Sequence, residues 1–178
     1  MALSLGESAP WFTAPTPSNP AFVFDTAAGR YVLLVFLPRD DADASADALR
    51  VVAQHRARFD DERVSAFVVV RDPSTAASAR DMRGLRWFLD EDGAVSRLYG
   101  ALGADGSEHP MWLLLDPALR VMGRVQLPNA RMLFDTLTRL RPPSEHAGEP
   151  PAIGLVQPDQ PLAKLRLEHP GDDQHRGM

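Results

Sequence analysis

Residues 31–37 (YVLLVFL) carry no charged side chain and only one polar group, the Tyr31 hydroxyl. A short run this apolar, rich in Val and Leu, suits a strand buried on both faces and not one that alternates between core and water. Such a strand belongs in the middle of a sheet covered by helices. Pro38 ends the run. Asp40, Asp41 and Asp43 follow, and residues 44–59 read as an amphipathic helix. Leu49, Val52, Ala53 and Phe59 fall at helical spacing, with Arg50, Arg56 and Arg58 left for the exposed face. Asp43 or Ser45 is the expected N-cap.

The remaining elements arrange themselves around that strand–loop–helix unit. Upstream, Gly6, Pro10 and Pro15 mark an extended lead-in that lays Trp11 and Phe12 on the domain. Residues 21–24 (AFVF) form a short strand, followed by a turn at Gly29. Val64–Val70 (VSAFVVV) is a second buried strand. Asp72-Pro73-Ser74 opens a short helix over 75–82, and Leu85–Leu89 (LRWFL) is another strand. After an acidic turn at 90–93, residues 94–101 read as a helix ending near Gly103. Met111–Leu115 (MWLLL) and 120–126 read as an antiparallel hairpin. A last helix spans 129–140, with Met132, Leu133, Leu137 and Leu140 on one face and Pro142-Pro143 as its stop. Strands alternating with helices, closed by a hairpin, indicate a three-layer α/β/α sandwich with a mixed central sheet.

The 178 residues suffice for one domain, 1–141, and an appendage, 142–178. That tail holds seven of the sixteen prolines and no aromatic residue. Its apolar residues are too few for a second core, so it reads as a proline-rich C-terminal tail, mobile or docked on a partner. A net charge of −5 with no basic stripe gives no footprint for nucleic acid. No apolar run approaches the roughly 20 residues of a membrane span. With no basic-then-apolar leader at the N-terminus, the cytoplasm is the expected location. The chain has no cysteine, which excludes disulfides, thiolate metal sites and thiol chemistry at once.

Three stretches in this order resemble the thioredoxin-fold peroxiredoxins, the alkyl hydroperoxide reductase/thiol-specific antioxidant family. They are GESAPWFTAP (6–15), YVLLVFLPRD (31–40) and LDEDGAVSRLYGA (89–101), and the likeness covers about 5–141. The resemblance implies a thioredoxin-like fold and an antioxidant oxidoreductase family. It also implies a catalytic loop in which Pro is followed four residues on by Thr and three further by the peroxidatic Cys. Counted from Pro38, Ala42 stands at the Thr position and Ser45 at the Cys position. Where the family places an arginine before its late strand, this chain reads His109-Pro110-Met111. Thioredoxin folds often carry a cis-proline there, and Pro110 is open to a cis or a trans peptide. A fainter likeness links 149–165 to the junction with a 2-oxoglutarate/iron oxygenase domain, whose His-x-Asp metal motif is absent.

A peroxidatic thiolate depends on helix N-terminal N–H groups and the helix dipole to lower its pKa. A serine hydroxyl gains no useful ionisation there. Asp40, Asp41, Asp43 and Asp47 complement the dipole and oppose an anionic nucleophile in the same place. The expectation is a non-catalytic member that binds a protein partner or small molecule at the degenerate cleft, with a homodimer plausible by family. Two alternatives stand beside it. One is non-thiol chemistry from Ser45, His109 and the Asp cluster; the other is an accessory role to an oxygenase. Ser45 has no G-x-S-x-G elbow. The Asp cluster lacks EF-hand spacing, and His146, His169 and His175 with Asp172 and Asp173 fit no preformed metal site. No phosphate-binding Gly loop or dinucleotide fingerprint is present. No cofactor or metal is expected.

Overall fold

The computed structural model describes residues 3–140. The readings of the 142–178 tail, its histidines and its oxygenase-junction likeness lie outside them.

The central strand is β3 (Tyr31–Phe36), preceded by a small antiparallel pair, β1 (Thr13–Ala14) and β2 (Phe22–Val23). β3 runs parallel to β4 (Val64–Val70), from Tyr31 opposite Val64 to Phe36 opposite Val69. β4 runs parallel to β5 (Leu85–Leu89). On its other side β3 is antiparallel to β6 (Met111–Leu115), which forms a hairpin with β7 (Val121–Gln126). The sheet order is β5-β4-β3-β6-β7. The mixed sheet expected from the sequence is thus observed.

Both faces of β3 are covered. Val32, Leu34 and Phe36 point into one core with Phe24, Phe67, Phe88 and Tyr99. Leu33 and Val35 point into the other, with Ala48, Val52, Leu133, Phe134 and Leu137. Each such fully buried Leu, Val or Phe stabilises the fold by about 1.5–3 kcal/mol relative to exposure. The second core is roofed by α1 (Ala42–Gln54) and α4 (Arg131–Arg139). The first is covered by α3 (Ala94–Tyr99) and the 3-10 turn Phe24–Ala27. A short helix, α2 (Pro73–Ser78), follows β4.

Several boundaries differ from the sequence reading, each for a local reason. Asp41, not Asp43 or Ser45, caps α1: its carboxylate accepts the Ala44 N–H at 2.9 Å, so the helix starts two residues early. α1 also ends early, at Gln54, because the His55 N–H is shared between the Val51 and Val52 carbonyls and the chain tightens into a 3-10 turn over Arg56–Arg58. The His55 ring stacks on Phe134, with centroids 3.7 Å apart. α2 begins at Pro73 and stops at Ser78, with Asp72 as cap. α3 ends at Tyr99 because Gly100 takes a left-handed conformation, φ 75°. A 3-10 turn, Leu127–Asn129, takes the first residue of the expected 129–140 helix, so α4 starts at Arg131.

The lead-in splits its two aromatics. Phe12 stacks on Phe24 (4.8 Å) and meets Phe88 and Tyr99 edge-on. Trp11 was expected to lie on the domain too, but it is 73% exposed; successive residues of an extended chain point opposite ways. Upstream of it, residues 6–9 lie along the outer edge of the hairpin. The Gly6 N–H donates to the Val121 carbonyl (2.8 Å), the Val121 N–H to Glu7 (2.9 Å), and the Ala9 N–H to Leu119 (2.8 Å).

Candidate functional site: the loop after β3 and the entrance to β6

The antiparallel register sets Phe36 opposite Met111, so the chain leaving β3 and the chain entering β6 meet at one end of the sheet. Pro38, Ala42 and Ser45 come from the first, His109 and Pro110 from the second. Glu108 joins them. Its two carboxylate oxygens each lie 3.1 Å from the Arg39 N–H, and it is ion-paired with Arg71. The Arg71 side chain is 10% exposed and that of Glu108 25%, so this pair is largely withdrawn from water.

Ser45 is the fourth residue of α1 and is 8% exposed. Its hydroxyl donates to the Pro38 carbonyl at 3.2 Å, and its N–H donates to the Asp41 carbonyl at 3.1 Å. The hydroxyl is therefore a staple between helix and loop. The N-terminal end of α1, where a thiolate would be stabilised, is already met by the Asp41 carboxylate. Asp47 pairs with Arg50 at 2.6 Å. Among the described residues, no group of three or more His, Asp or Glu is placed to hold a metal ion.

His109 does not pair with Ser45. Its Nε2 lies 3.1 Å from the Ser107 hydroxyl, which donates its own proton to Asp105 at 2.6 Å. With that proton directed at a carboxylate, Ser107 accepts from the imidazole, so it is not set up as a nucleophile with His109 as its base. The Ser107 hydroxyl and amide hold Asp105 below the usual carboxylate range. The His109–Pro110 peptide is trans, which decides the open cis/trans question.

Two cavities flank His109. One, of about 580 Å³, lies between the start of α1 and the ends of β6 and β7, and is lined by Asp41, Ala44, Glu108, Pro110 and Arg124 among others. The other, of about 410 Å³, lies beside α3 and is lined by Arg97, Leu102, Gly103, His109 and Arg124. Ser45 lines neither.

Sequence reasoning missed Glu108, Arg71 and Arg124. Arg71 was legible in principle. It follows directly on β4, whose parallel register with β3 carries it to the level of Pro38, and the C-terminal ends of parallel strands are where α/β sheets place their sites. Arg124 reaches the site from the far side of the hairpin, its Nε donating to the Met111 thioether at 3.0 Å. Only the β6–β7 pairing reveals that.

The architecture and the site together define a thioredoxin-like domain whose catalytic loop lacks its thiol. The chain belongs to the AhpC/TSA family, whose profile matches residues 5–124. Solved structures agree on the fold. Mycobacterium tuberculosis AhpC is 16% identical, with a TM-score of 0.59 over 78% of this chain and 95% of that one. A Cys-to-Ser mutant of Xylella fastidiosa PrxQ is 11% identical, with a TM-score of 0.62 over 78% and 97%. The Xanthomonas campestris bacterioferritin comigratory protein is 15% identical, with a TM-score of 0.62 over 79% and 98%. No curated protein matches the chain. Without cysteine, the thiol-peroxidase chemistry of a peroxidatic residue is absent. Among the described residues, no helix is long and apolar enough to cross a membrane.

Proposed function

We propose that this protein is a non-catalytic member of its family, and that the degenerate cleft, 38–45 with 109–111, serves to bind a small molecule or a partner protein. The observation that carries this reading is the state of Ser45. At the position of the reactive thiol stands a buried hydroxyl committed to the Pro38 carbonyl, under a helix end already capped by Asp41. Such a residue positions the loop and attacks nothing. The competing reading, non-thiol catalysis by Ser45 with His109, finds no support in the geometry, because His109 is engaged with Ser107.

The test is peroxide consumption by purified protein, with hydrogen peroxide and an organic hydroperoxide and an added thiol reductant. Wild type is compared with Ser45→Cys and with Ala42→Thr/Ser45→Cys. The expected result is no turnover by wild type and slow turnover by the double variant, which restores the thiol and its hydroxyl neighbour. Turnover by wild type would overturn the proposal.

A further inference from the structure

We infer that the smaller cavity, beside α3, is a binding site for a small oxyanion held between Arg97 and Arg124. Its volume, about 410 Å³, is within the range of small-molecule sites. Two side chains that line it, Arg97 and Arg124, are cationic, and the other lining residues are His109, glycines, Leu102 and Ala104. No carboxylate lines it. The larger neighbouring cavity differs in this respect, because Asp41 and Glu108 form part of its wall.

The charge distribution supports the assignment. The chain has an excess of carboxylates, with a net charge of −5, and six arginines have a carboxylate within 4.0 Å: Arg50, Arg63, Arg71, Arg83, Arg86 and Arg131. Arg97 and Arg124 are among the nine other arginines of the described residues that have none, and of those nine they are the two that line this cavity. Arg97 Nη1 donates to the Asp92 carbonyl at 2.7 Å. Arg124 is half-buried, yet its Nε has only the Met111 thioether, a weak acceptor, and its two Nη groups have no protein acceptor among the described residues. A half-buried guanidinium left in that state is a donor fork without an acceptor, the arrangement that takes carboxylate or phosphate oxygens in two parallel bonds.

The nearby negative groups are already engaged. Asp105 is held by Ser107, and Glu108 by Arg71 and the Arg39 amide. The carbonyls at the end of α3 are also occupied. The Ser96 carbonyl accepts from Ala101 and Leu102, and the Arg97 carbonyl from Gly100. An oxyanion in the cavity meets donors and few free acceptors.

This inference rests on the proposed function only in placing a ligand beside the degenerate cleft, whose larger cavity shares His109 and Arg124. The probes are inorganic phosphate and succinate, titrated calorimetrically into the full chain at low ionic strength. At least one is expected to bind at one site per chain. Arg97→Gln or Arg124→Gln is expected to weaken binding about tenfold each, the loss of a charge-assisted contact, and the double variant to abolish it. Arg120→Gln, an arginine away from the cavity, is expected to change nothing. Thermal unfolding without ligand checks that each variant is folded. Tighter phosphate binding assigns a phosphoryl ligand, and tighter succinate binding a carboxylic acid. Failure of both probes to bind, or unchanged binding by the folded double variant, would overturn the site. Peroxide turnover by wild type would end the non-catalytic reading and leave this titration untouched, and a failed titration would leave that reading standing.

Discussion

Replacing Glu108 by alanine removes the carboxylate that ties the exit of β3 to the entrance of β6. It leaves the Arg71 guanidinium, 10% exposed, without its counter-charge. Breaking a fully buried pair by deleting one partner costs about 3–5 kcal/mol, because the remaining charge stays desolvated. A quarter of the Glu108 side chain sees solvent, so water can enter where it stood and the exposed Arg39 amide can rehydrate. The expected loss is therefore about 2–3 kcal/mol. For a chain of this size that lowers the unfolding midpoint by roughly 4–12 °C. The measurement is reversible thermal and urea unfolding of wild type, Glu108→Ala and Glu108→Gln. The amide keeps an acceptor without the charge and should fall between the other two. The urea m-value should not change, since the same surface is exposed on unfolding. Asp47→Ala, which breaks the exposed Arg50 pair, is the control and should cost well under about 1 kcal/mol. A Glu108→Ala protein that unfolds at the wild-type temperature would refute the view that this pair is withdrawn from water and holds the loop.

Two other perturbations follow from the same structure. Gly84 has φ 76°, and a Cβ there would sit 2.2 Å from the Phe59 carbonyl; Gly84→Ala should cost about 2–4 kcal/mol in urea unfolding, from overpacking plus left-handed strain. Partial burial pushes Asp60 and Asp61 up, but hydrogen bonds outweigh it: the Arg63, Glu62 and Val64 amides hold Asp60 down at about 2, and Arg86, the Gly84 amide and Ser65 hold Asp61 lower still. A depressed folded pKa gives stability that is full above the unfolded value near 4 and is lost as pH falls through the folded one. Stability should thus decline from about pH 4 downward. Asp61→Asn should flatten that decline, and an unchanged acid slope in the variant would count against the assignment.

The layered fold was legible because apolar runs leave few options. Tyr31–Phe36, Val64–Val70 and Met111–Leu115 can be hidden on two faces only inside a helix-covered sheet, and these three strands, with the edge strand Leu85–Leu89, fall where the sequence put them. Helix starts were less legible, since Asp40, Asp41, Asp43 and Ser45 are all competent caps and only backbone geometry chooses among them. The degenerate loop could be read residue by residue from Pro38 to Ser45. The groups that surround it could not. Glu108, Arg71 and Arg124 reach the site from three separate segments, and their meeting depends on strand register, which local sequence does not encode.

The pairing of residues 6–9 with Leu119 and Val121 has a consequence for how the chain is made. Residues 6–9 find these hydrogen-bond partners only when the last strand of the sheet has been synthesised. Until then residues 6–9 lack those partners, although Thr13–Ala14 can already pair with Phe22–Val23. The partners lie almost a domain's length apart in sequence, a non-local pairing of the kind that raises the contact order of the fold. It also shields part of an edge strand that would otherwise offer its backbone to another chain. Without residues 6–9 in place, that stretch of β7 is an open sheet edge that a neighbouring copy could pair with.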